Sequence, residues 1–505
     1  MFLRMNIANQ PPSRISEPKN YQALQKQPEQ RILDDRPEAD GLIPPISLLY
    51  DGFGIFEDVF REGLPVPGES EILEAKLWDE ANDFADQMAA FYGNEAERRG
   101  VIHGCLAKIF RARRDPLATG EEIMTSKIGS RQIISDGHSK GEHGAIVFCI
   151  KCKNELSGIS CEPSAELVSC VASSFKDEML KGSHQALFNG WRTPTLGMTV
   201  IGELISHAPC PHLLIRSLGP FVQFFGIVLL VTNMRVAPLT PMLPLATPVN
   251  DEWHRRNLFL AFKAASIVIA KIQADVRELI RNPPEQIPCN LRGLPSITSI
   301  TGIDAATTPP PRIDFKLVGR HDEVVKHRNL YHALCASTNE GIYVKFTRQY
   351  SRDLHVFCAG RGLAPKLLGF ERLPGGWIAL AMEKVDIVGL STISSFAELD
   401  TWRDSIQGLV KGFHGAGLVH GDLRLANFIF TKSSPRKMML VDFDWGGTAG
   451  EVYFPRGQLA EGLRAKGGQD SLDQIITKGD DDRVLASTFA LLDVLARRQA
   501  VGGKT

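Results

Sequence analysis

Two short motifs late in the chain carry residues that could perform phosphoryl transfer. They are residues 420–427, with the sequence HGDLRLAN, and residues 441–444, with the sequence VDFD. Phosphoryl transfer needs one carboxylate to orient and deprotonate the attacking hydroxyl, and further oxygen ligands to hold a metal ion against the phosphates. Asp422 is the candidate base, and Asn427 and Asp442 are the candidate metal ligands.

The surrounding pattern predicts the elements that would position these motifs. Apolar residues between Phe396 and Phe413 recur with the period of an amphipathic helix, and Gly415 follows it. Residues 428–430 and 438–441 predict the two strands of a hairpin. The hairpin would deliver the second motif beside the first.

Together the motifs resemble the eukaryotic-type protein kinase superfamily, over about residues 313–495. The HGD and DFD forms are more similar to atypical branches, such as the aminoglycoside phosphotransferases and choline kinases. The runs HGDLRLANF and VDFDWGGTAG resemble the kinase-like domains of many filamentous-fungal proteins. The resemblance implies a two-lobed domain that uses ATP and Mg²⁺ and transfers the γ-phosphoryl group to a hydroxyl. It assigns Asp422 as base, Asn427 and Asp442 to the metal, and Arg424 to the transferred group.

The same resemblance assigns contacts to ATP further upstream. Lys345, in a hairpin predicted over residues 329–346, corresponds to the lysine that binds the α- and β-phosphates. The helix after it usually carries a glutamate that pairs with this lysine, and here the candidate partner is Asp353. The stretch from Glu383 to Val385 corresponds to the hinge, whose backbone would contact the adenine base.

The chain departs from the family at several positions. No Gly-x-Gly-x-x-Gly motif precedes Lys345, and Asp444 stands where protein kinases usually carry Gly. Gly421 replaces their usual Arg, which argues against control by a phosphorylated activation loop. Three functions stay open: a protein kinase of Ser/Thr type, which the fungal-type resemblance favours, a small-molecule phosphotransferase, and a pseudokinase that serves as a binding module with an inactive nuclease-like domain.

The first half of the chain carries a second set of candidate residues. Asp136 precedes a buried strand that is predicted from residue 145 and ends at Glu155, Lys153 lies on that strand, and Glu95 lies on an earlier helix. This order resembles the restriction-endonuclease-like PD-(D/E)xK fold, in which carboxylates hold a metal ion that activates water. Lys151, however, occupies the acidic position of that motif, on the same strand face as Lys153. We therefore expect a degenerate domain without metal-dependent cleavage, which binds nucleic acid or a partner or serves as a scaffold.

Composition and charge limit the classes of protein. The 505 residues include 57 Lys+Arg and 58 Asp+Glu, a net charge of -1, which argues against a polycation that coats nucleic acid or membrane. Nine cysteines without a recognisable secretory signal predict reduced thiols in an intracellular protein, cytoplasmic or nuclear. The longest apolar run, residues 218–231, is too short to span a bilayer. We expect ATP and a protein or small-molecule hydroxyl acceptor as partners, and no membrane.

Composition also divides the chain into four stretches. Residues 1–42 are polar and Pro-rich and predict a disordered tail. Residues 43–281 predict a mixed α/β domain, residues 282–312 a Pro-rich linker, and residues 313–505 the kinase-like domain. The expected fold class is α+β and α/β, with a mixed α/β nuclease-like domain before a two-lobed kinase-like domain.

Overall fold

The computed structural model divides into two compact units, residues 1–297 and residues 298–505. It describes residues 7, 11–28, 31–34, 43–63, 71–112, 127–128, 133–157, 163–205, 219–230, 233–247, 251–303, 309–321, 329–388, 396–433, 435–455 and 475–502. Over these residues the fold is mixed α/β, with twelve α-helices and nineteen strands. No helix in the described ranges combines the length and the apolar character that crossing a bilayer requires.

The first unit is a mixed β-sheet with helices packed on both faces. Its helices are α1 (Pro12–Ile15), α2 (Pro18–Gln25), α3 (Ile46–Leu49), α4 (Asp51–Glu62), α5 (Glu71–Met88), α6 (Glu95–Ala112), α7 (Pro163–Lys181), α8 (Gln185–Gly190) and α9 (Glu252–Arg281). Its strands are β1 (Lys127–Ile128), β2 (Ile133–Ile134), β3 (Gly137–Lys140), β4 (Ile146–Ser157), β5 (Thr195–Ile205), β6 (Phe221–Leu229), β7 (Met234–Pro238) and β8 (Leu243–Pro244). Strands β3 to β7 lie in chain order across the sheet, with β4 and β5 parallel and the other neighbours antiparallel.

The first five residues of β4, 146–150, are apolar on both faces because each face meets a helical layer. Phe148 and Ile150 pack into a core shared with α4, α5, α6 and α9. Cys149, which lies between them and points to the opposite face of the strand, packs into the core on the other side of the sheet, together with α7. The alternation of side chains along a strand therefore directs Lys151 and Lys153 towards α7. The shared face that the sequence predicts for these two lysines is present.

The predicted disordered tail, residues 1–42, is wrong for the residues that are described there. Helices α1 and α2 each begin with a proline at the first helical position. They bury Ile15 and Leu24 in the core beside α7. Leu33 forms a β-bridge with Arg235 on β7. A few apolar residues thus hold this polar segment against the first unit. Residues 1–6, 8–10, 29–30 and 35–42 lie outside the described residues.

The predicted linker, residues 282–312, is ordered over most of its length. A 3-10 helix at Cys289–Leu291 leads to Arg292, whose side chain is 1% exposed. The Arg292 guanidinium donates hydrogen bonds of 2.7–3.2 Å to the backbone oxygens of Phe188, Asn189, Trp191 and Leu230. This anchor fixes the segment to the first unit, and the boundary between the units falls before Thr298 rather than at residue 313.

The second unit combines an antiparallel sheet with a mainly helical part. Its strands are β9 (Ser299–Thr301), β10 (Arg312–Arg320), β11 (Asn329–Cys335), β12 (Gly341–Thr347), β13 (Leu367–Leu373), β14 (Trp377–Glu383), β15 (Ile387–Val388), β16 (Leu418–Val419), β17 (Phe428–Thr431), β18 (Met438–Leu440) and β19 (Gly447–Thr448). Its helices are α10 (Arg352–Ala359), α11 (Phe396–Gly415) and α12 (Lys478–Gly502). The sheet order is β13-β14-β12-β11-β10-β9.

The helical part places the two motifs of the second unit next to each other. Strands β17 and β18 pair antiparallel and form the predicted hairpin. Ile406 and Phe413 of α11 pack against Leu423 and Phe443, so both motifs share one core with the helix. The predicted helix before the HGD motif is thus present, and it buries the apolar residues Leu423 and Phe443, which lie beside the polar residues of the two motifs.

Candidate functional site

A cavity of about 300 Å³ lies between the sheet and the helical part of the second unit. It is lined by His321, Leu330, Tyr343, Lys345, Tyr350, His355, Pro365, Met382, Glu383, Val385, Ile387, Ala426, Ile429, Val441, Asp442 and Phe443. Four of the residues singled out from the sequence, Lys345, Glu383, Val385 and Asp442, therefore border one space. Its mainly apolar walls with a few polar groups are typical of a small-molecule site.

A buried carboxylate on α12 holds the loop that carries the first motif. Asp481 is 1% exposed and accepts hydrogen bonds from the backbone N–H groups of His420 and Gly421, both at 2.8 Å. Sequence reasoning missed Asp481. The one available signal was the pair Thr477 and Asp480, whose reciprocal hydrogen bonds form a capping box at the start of α12.

The backbone of the loop explains why glycine stands at position 421. Gly421 has a φ of +81°, in the left-handed region that other residues rarely adopt. A Cβ atom at this position would lie 2.7 Å from Cδ1 of Ile476. A side chain at position 421 would therefore clash, so the local packing requires glycine there.

The carboxylate of Asp422 forms a two-pronged ion pair with Arg424. Arg424 Nε lies 2.5 Å from Asp422 Oδ1, and Nη2 lies 2.7 Å from Oδ2. These hydrogen bonds, together with the charge of Asp422, raise the pKa of Arg424 despite partial burial. Arg424 thus contacts both oxygens of Asp422, the candidate base, and fixes the rotamer of that carboxylate.

The side chain of Asn427 is oriented by the loop and leaves one oxygen without a partner. Asn427 Nδ2 donates a 2.9 Å hydrogen bond to the backbone oxygen of Asp422. Asn427 is fully buried, and its Oδ1 has no hydrogen-bond partner among the described residues. The backbone N–H of Val441 donates to the backbone oxygen of Asn427 at 2.9 Å, which ties the loop to the second motif. Ala426, the preceding residue, lines the cavity. A buried polar atom without a partner calls for an explanation such as a bound ion.

Asp442 has a strained backbone that its neighbour Phe443 holds in place. Its φ is +67°, which is uncommon for a residue other than glycine. The Phe443 ring stacks on His355 at 4.6 Å and meets His420 edge-on at 5.3 Å. The backbone N–H of Ser351 donates to the backbone oxygen of Phe443 at 3.0 Å. Strain of this kind persists only where the surrounding contacts enforce it, as they do at many functional sites.

Lys345 forms ion pairs with both acidic residues of the DFD motif. Its Nζ lies 2.5 Å from Asp442 Oδ1 and 2.6 Å from Asp444 Oδ1. Burial alone would lower the pKa of Lys345, but the carboxylates of Asp444 and Asp442 outweigh it and raise the pKa. Burial raises the pKa of Asp444 to about 6, in spite of the nearby Lys345. The predicted partner of Lys345, Asp353, is instead exposed in the first turn of α10. Asp444 therefore forms the ion pair that was expected from Asp353.

The predicted hinge is partly occupied by hydrogen bonds of the sheet. The backbone N–H of Glu383 donates to the Lys366 oxygen at 3.0 Å, and the Glu383 carboxylate accepts from the Lys366 N–H at 2.8 Å. Glu383 is thereby fixed at the end of β14, whereas Val385 lies beyond the strand on the cavity wall. The stretch that corresponds to a Gly-rich loop, residues 316–321, lies on β10 and the residue after it, and residues 322–328 are outside the described residues.

The nuclease-like residues of the first unit meet at a separate place. Asp136 precedes β3, and Lys153 lies on β4, where its Nζ is 2.9 Å from Glu166 on α7. Glu95 is exposed at the start of α6, and Arg99, one turn later, contacts Asp136 at 3.2 Å. Lys151 contacts both Asp136 and Glu166, so the structure brings Asp136 and Lys153 into one cluster of ion pairs. Arg99 rather than Glu95 is the contact from the helix.

Comparison with known proteins leaves the family open. No protein-family model matches the chain, and no curated protein matches it. Among solved structures, the chain is similar to the kinase PK-1 of Cydia pomonella granulovirus, with 14% sequence identity over 35% of this chain and 70% of that chain. The TM-score is 0.30. A similarity at this level carries no argument, so the function has to follow from the geometry of the site.

Proposed function

We propose that the second unit is a kinase, which binds ATP with Mg²⁺ and transfers the γ-phosphoryl group to a hydroxyl of an acceptor. The observation that carries this proposal is the unsatisfied Oδ1 of Asn427. The amide nitrogen of the same side chain donates to the backbone oxygen of Asp422. The backbone N–H of Val441, the residue directly before Asp442, donates to the backbone oxygen of Asn427. A buried acceptor oxygen in this position has the chemistry of a metal ligand.

The donor set suits Mg²⁺ together with phosphates better than Mg²⁺ alone. Mg²⁺ in phosphoryl-transfer enzymes is commonly held by one or two carboxylates plus phosphate oxygens and waters. Asn427 and Asp442 supply two protein oxygens. Over the described residues, no group of three His, Cys, Asp or Glu side chains has the arrangement of a metal site. The metal, when bound with the nucleotide, would neutralise charge that develops on the phosphates.

Asp422 is the group that would receive the proton of the acceptor hydroxyl. Arg424 engages both of its oxygens, but each carboxylate oxygen has a second lone pair that can accept a further hydrogen bond. The ion pair orients the carboxylate before the acceptor arrives, and that removes part of the cost of positioning it. We therefore assign Arg424 as a positioning residue for the base.

Lys345 is the group that would neutralise the phosphates. In the structure its ammonium lies between Asp442 and Asp444, so it can turn to a phosphate while one of these carboxylates continues to hold it. The apolar walls of the cavity would take the adenine base. Because the N–H of Glu383 is bonded to Lys366, we assign the backbone contact to the region of Val385.

The acceptor class follows from the resemblance of the motifs, which places a protein Ser/Thr hydroxyl first and a small molecule second. Radiolabelled ATP transfer onto a panel of protein and small-molecule hydroxyl acceptors distinguishes the two. The wild type is compared with Asp422→Asn, and Asp404→Asn serves as the matched control because Asp404 is exposed on α11. We expect transfer by the wild type and the control, and loss of transfer in Asp422→Asn.

Nucleotide binding is tested separately from transfer. We expect ATP with Mg²⁺ to raise the melting temperature of the wild type, and Asp442→Ala to reduce that rise. An unchanged rise in Asp442→Ala, or none in the wild type, would reject the proposed site. Binding without transfer to any acceptor would identify a nucleotide-binding pseudokinase.

A further inference from the structure

A network of buried ion pairs connects β4 to α7 in the first unit. The Nζ atom of Lys151 lies 2.8 Å from Asp136 Oδ2 and 2.9 Å from Glu166 Oε2. Lys153 Nζ lies 2.9 Å from Glu166 Oε1, and Arg99 Nη1 lies 3.2 Å from Asp136 Oδ1. The side chains of Asp136 and Glu166 are only 7% and 1% exposed. Three cations therefore surround two buried carboxylates.

Neutral donors complete the hydrogen bonding of these carboxylates. The backbone N–H of Cys152 donates to Asp136 Oδ2 at 3.0 Å. The hydroxyl of Ser16 donates to Glu166 Oε1 at 2.9 Å. Each of the four carboxylate oxygens thus has at least one donor, which is the condition for a buried charge to be tolerated.

Two carboxylates that face one point from a strand end and from a helix resemble a site for a divalent cation. Mg²⁺ and similar ions bind such oxygens at about 2.0–2.1 Å. In this structure the shared point is occupied by the ammonium group of Lys151, which approaches both carboxylates as a hydrogen-bond donor. A metal ion does not fit there while the ammonium is present, because the two cations would share the same ligands.

The charge on Lys151 is strongly favoured. Burial tends to lower its pKa, but the carboxylates of Asp136 and Glu166 raise it well above the ordinary value. In turn, Lys151 and Lys153 lower the pKa of Glu166 against the effect of burial. The Lys151 ammonium and the Glu166 carboxylate therefore stay charged together at neutral pH.

We propose that the ammonium group of Lys151 replaces the divalent cation of a metal-dependent centre. The first unit then keeps the scaffold of such a centre but binds no Mg²⁺ or Mn²⁺ at it. The substitution Lys151→Glu converts the cluster into a site for these ions, since it removes the internal cation and adds a third carboxylate. This inference does not depend on the proposed kinase activity of the second unit.

The test is Mn²⁺ binding by the full chain, which is measured by calorimetric titration and by thermal unfolding. All variants carry Asp442→Ala, so that the second unit lacks one of its proposed metal ligands. Lys76→Glu is the matched control, because it makes the same charge change at an exposed position on α5. We expect one additional Mn²⁺ site in Lys151→Glu, and none in the parent or in the control. At a Mn²⁺ concentration about 100 times its Kd, the melting temperature of Lys151→Glu should rise by about 5–10 °C.

A second variant keeps the proposal testable if three buried carboxylates prevent folding of Lys151→Glu. Lys151→Gln removes the ammonium without adding charge, and the two remaining carboxylates should then also bind Mn²⁺, though less tightly. A gain of one Mn²⁺ site in either variant supports the proposal. A Mn²⁺ site in the parent that the substitutions leave unchanged, or no gain in either folded variant, overturns it.

Discussion

Asp444 is the residue whose replacement tests the proposed kinase site most directly. The substitution Asp444→Asn keeps the shape of the side chain but removes its charge. Of its two ion pairs, Lys345 then keeps the one with Asp442, which it would have to share with the metal ion during the reaction. The ammonium is no longer held independently of the metal site, and its position against the phosphates becomes less defined.

The size of the effect follows from the lost contact. Lys345 Nζ and Asp444 Oδ1 are 2.6 Å apart, and their side chains are 9% and 27% exposed. A hydrogen bond between charged groups contributes roughly 1.5–3 kcal/mol. Since about 1.4 kcal/mol corresponds to a factor of ten, kcat should fall by about 10- to 100-fold. The KM for ATP should change less, because removal of a negative charge also favours the approach of the phosphates.

The matched control is Asp353→Asn, on the exposed first turn of α10, where the family resemblance places the partner of the lysine. Steady-state ADP release gives kcat and KM, and thermal unfolding confirms that each variant is folded. We expect Asp353→Asn to retain wild-type kcat within about twofold. If Asp353→Asn lost activity while Asp444→Asn retained it, the assignment of Asp444 would be refuted, and an ion pair between Lys345 and Asp353 would have to form in the working enzyme.

Three further predictions concern other buried polar groups. Asn427→Leu should raise by about tenfold or more the Mg²⁺ concentration that gives half-maximal stabilisation by ATP, measured by thermal shift, because it deletes the unsatisfied oxygen. The pKa of Glu166 is lowered in the folded state, so the stabilising contribution of its carboxylate is present above the ordinary pKa of 4.5 and is lost as the pH falls through the lower, folded-state pKa. The melting temperature of the wild type should therefore fall more steeply below pH 4.5 than that of Glu166→Gln. Arg292→Met should destabilise the first unit by about 3 kcal/mol or more, measured by chemical unfolding, because four backbone oxygens lose their donor, whereas exposed Arg256→Met should not.

The motifs that lie within one loop or hairpin could be predicted from the sequence. The helix before the HGD motif, the hairpin from β17 to β18 and the proximity of Asn427 to Asp442 are set by short-range patterns. The alternation of β4 likewise predicted that Lys151 and Lys153 share a face. In each case the period of the pattern and the turn residues determine the geometry without knowledge of distant contacts.

The partners of these residues could not be predicted, because they come from distant segments. Asp481 lies about sixty residues after the loop that it holds, and it is one of several acidic residues in that stretch. Ser16 contacts Glu166 across 150 residues, from a segment whose composition predicts disorder. Choice among equivalent acids, such as Asp353 and Asp444 for Lys345, depends on tertiary packing that no local pattern encodes.

The two units contain the same local arrangement, a lysine between two carboxylates. They differ in whether the polar atoms around that lysine all have hydrogen-bond partners. Around Lys151, all four carboxylate oxygens have donors, and Glu166 is 1% exposed. Around Lys345, Asp442 borders a cavity of about 300 Å³ and has a strained backbone, and the nearby Asn427 retains an oxygen without a partner. A bound ligand would relieve the second arrangement, whereas it would have to break hydrogen bonds in the first. The same three charges therefore form a closed structural cluster in one unit and part of the proposed nucleotide site in the other.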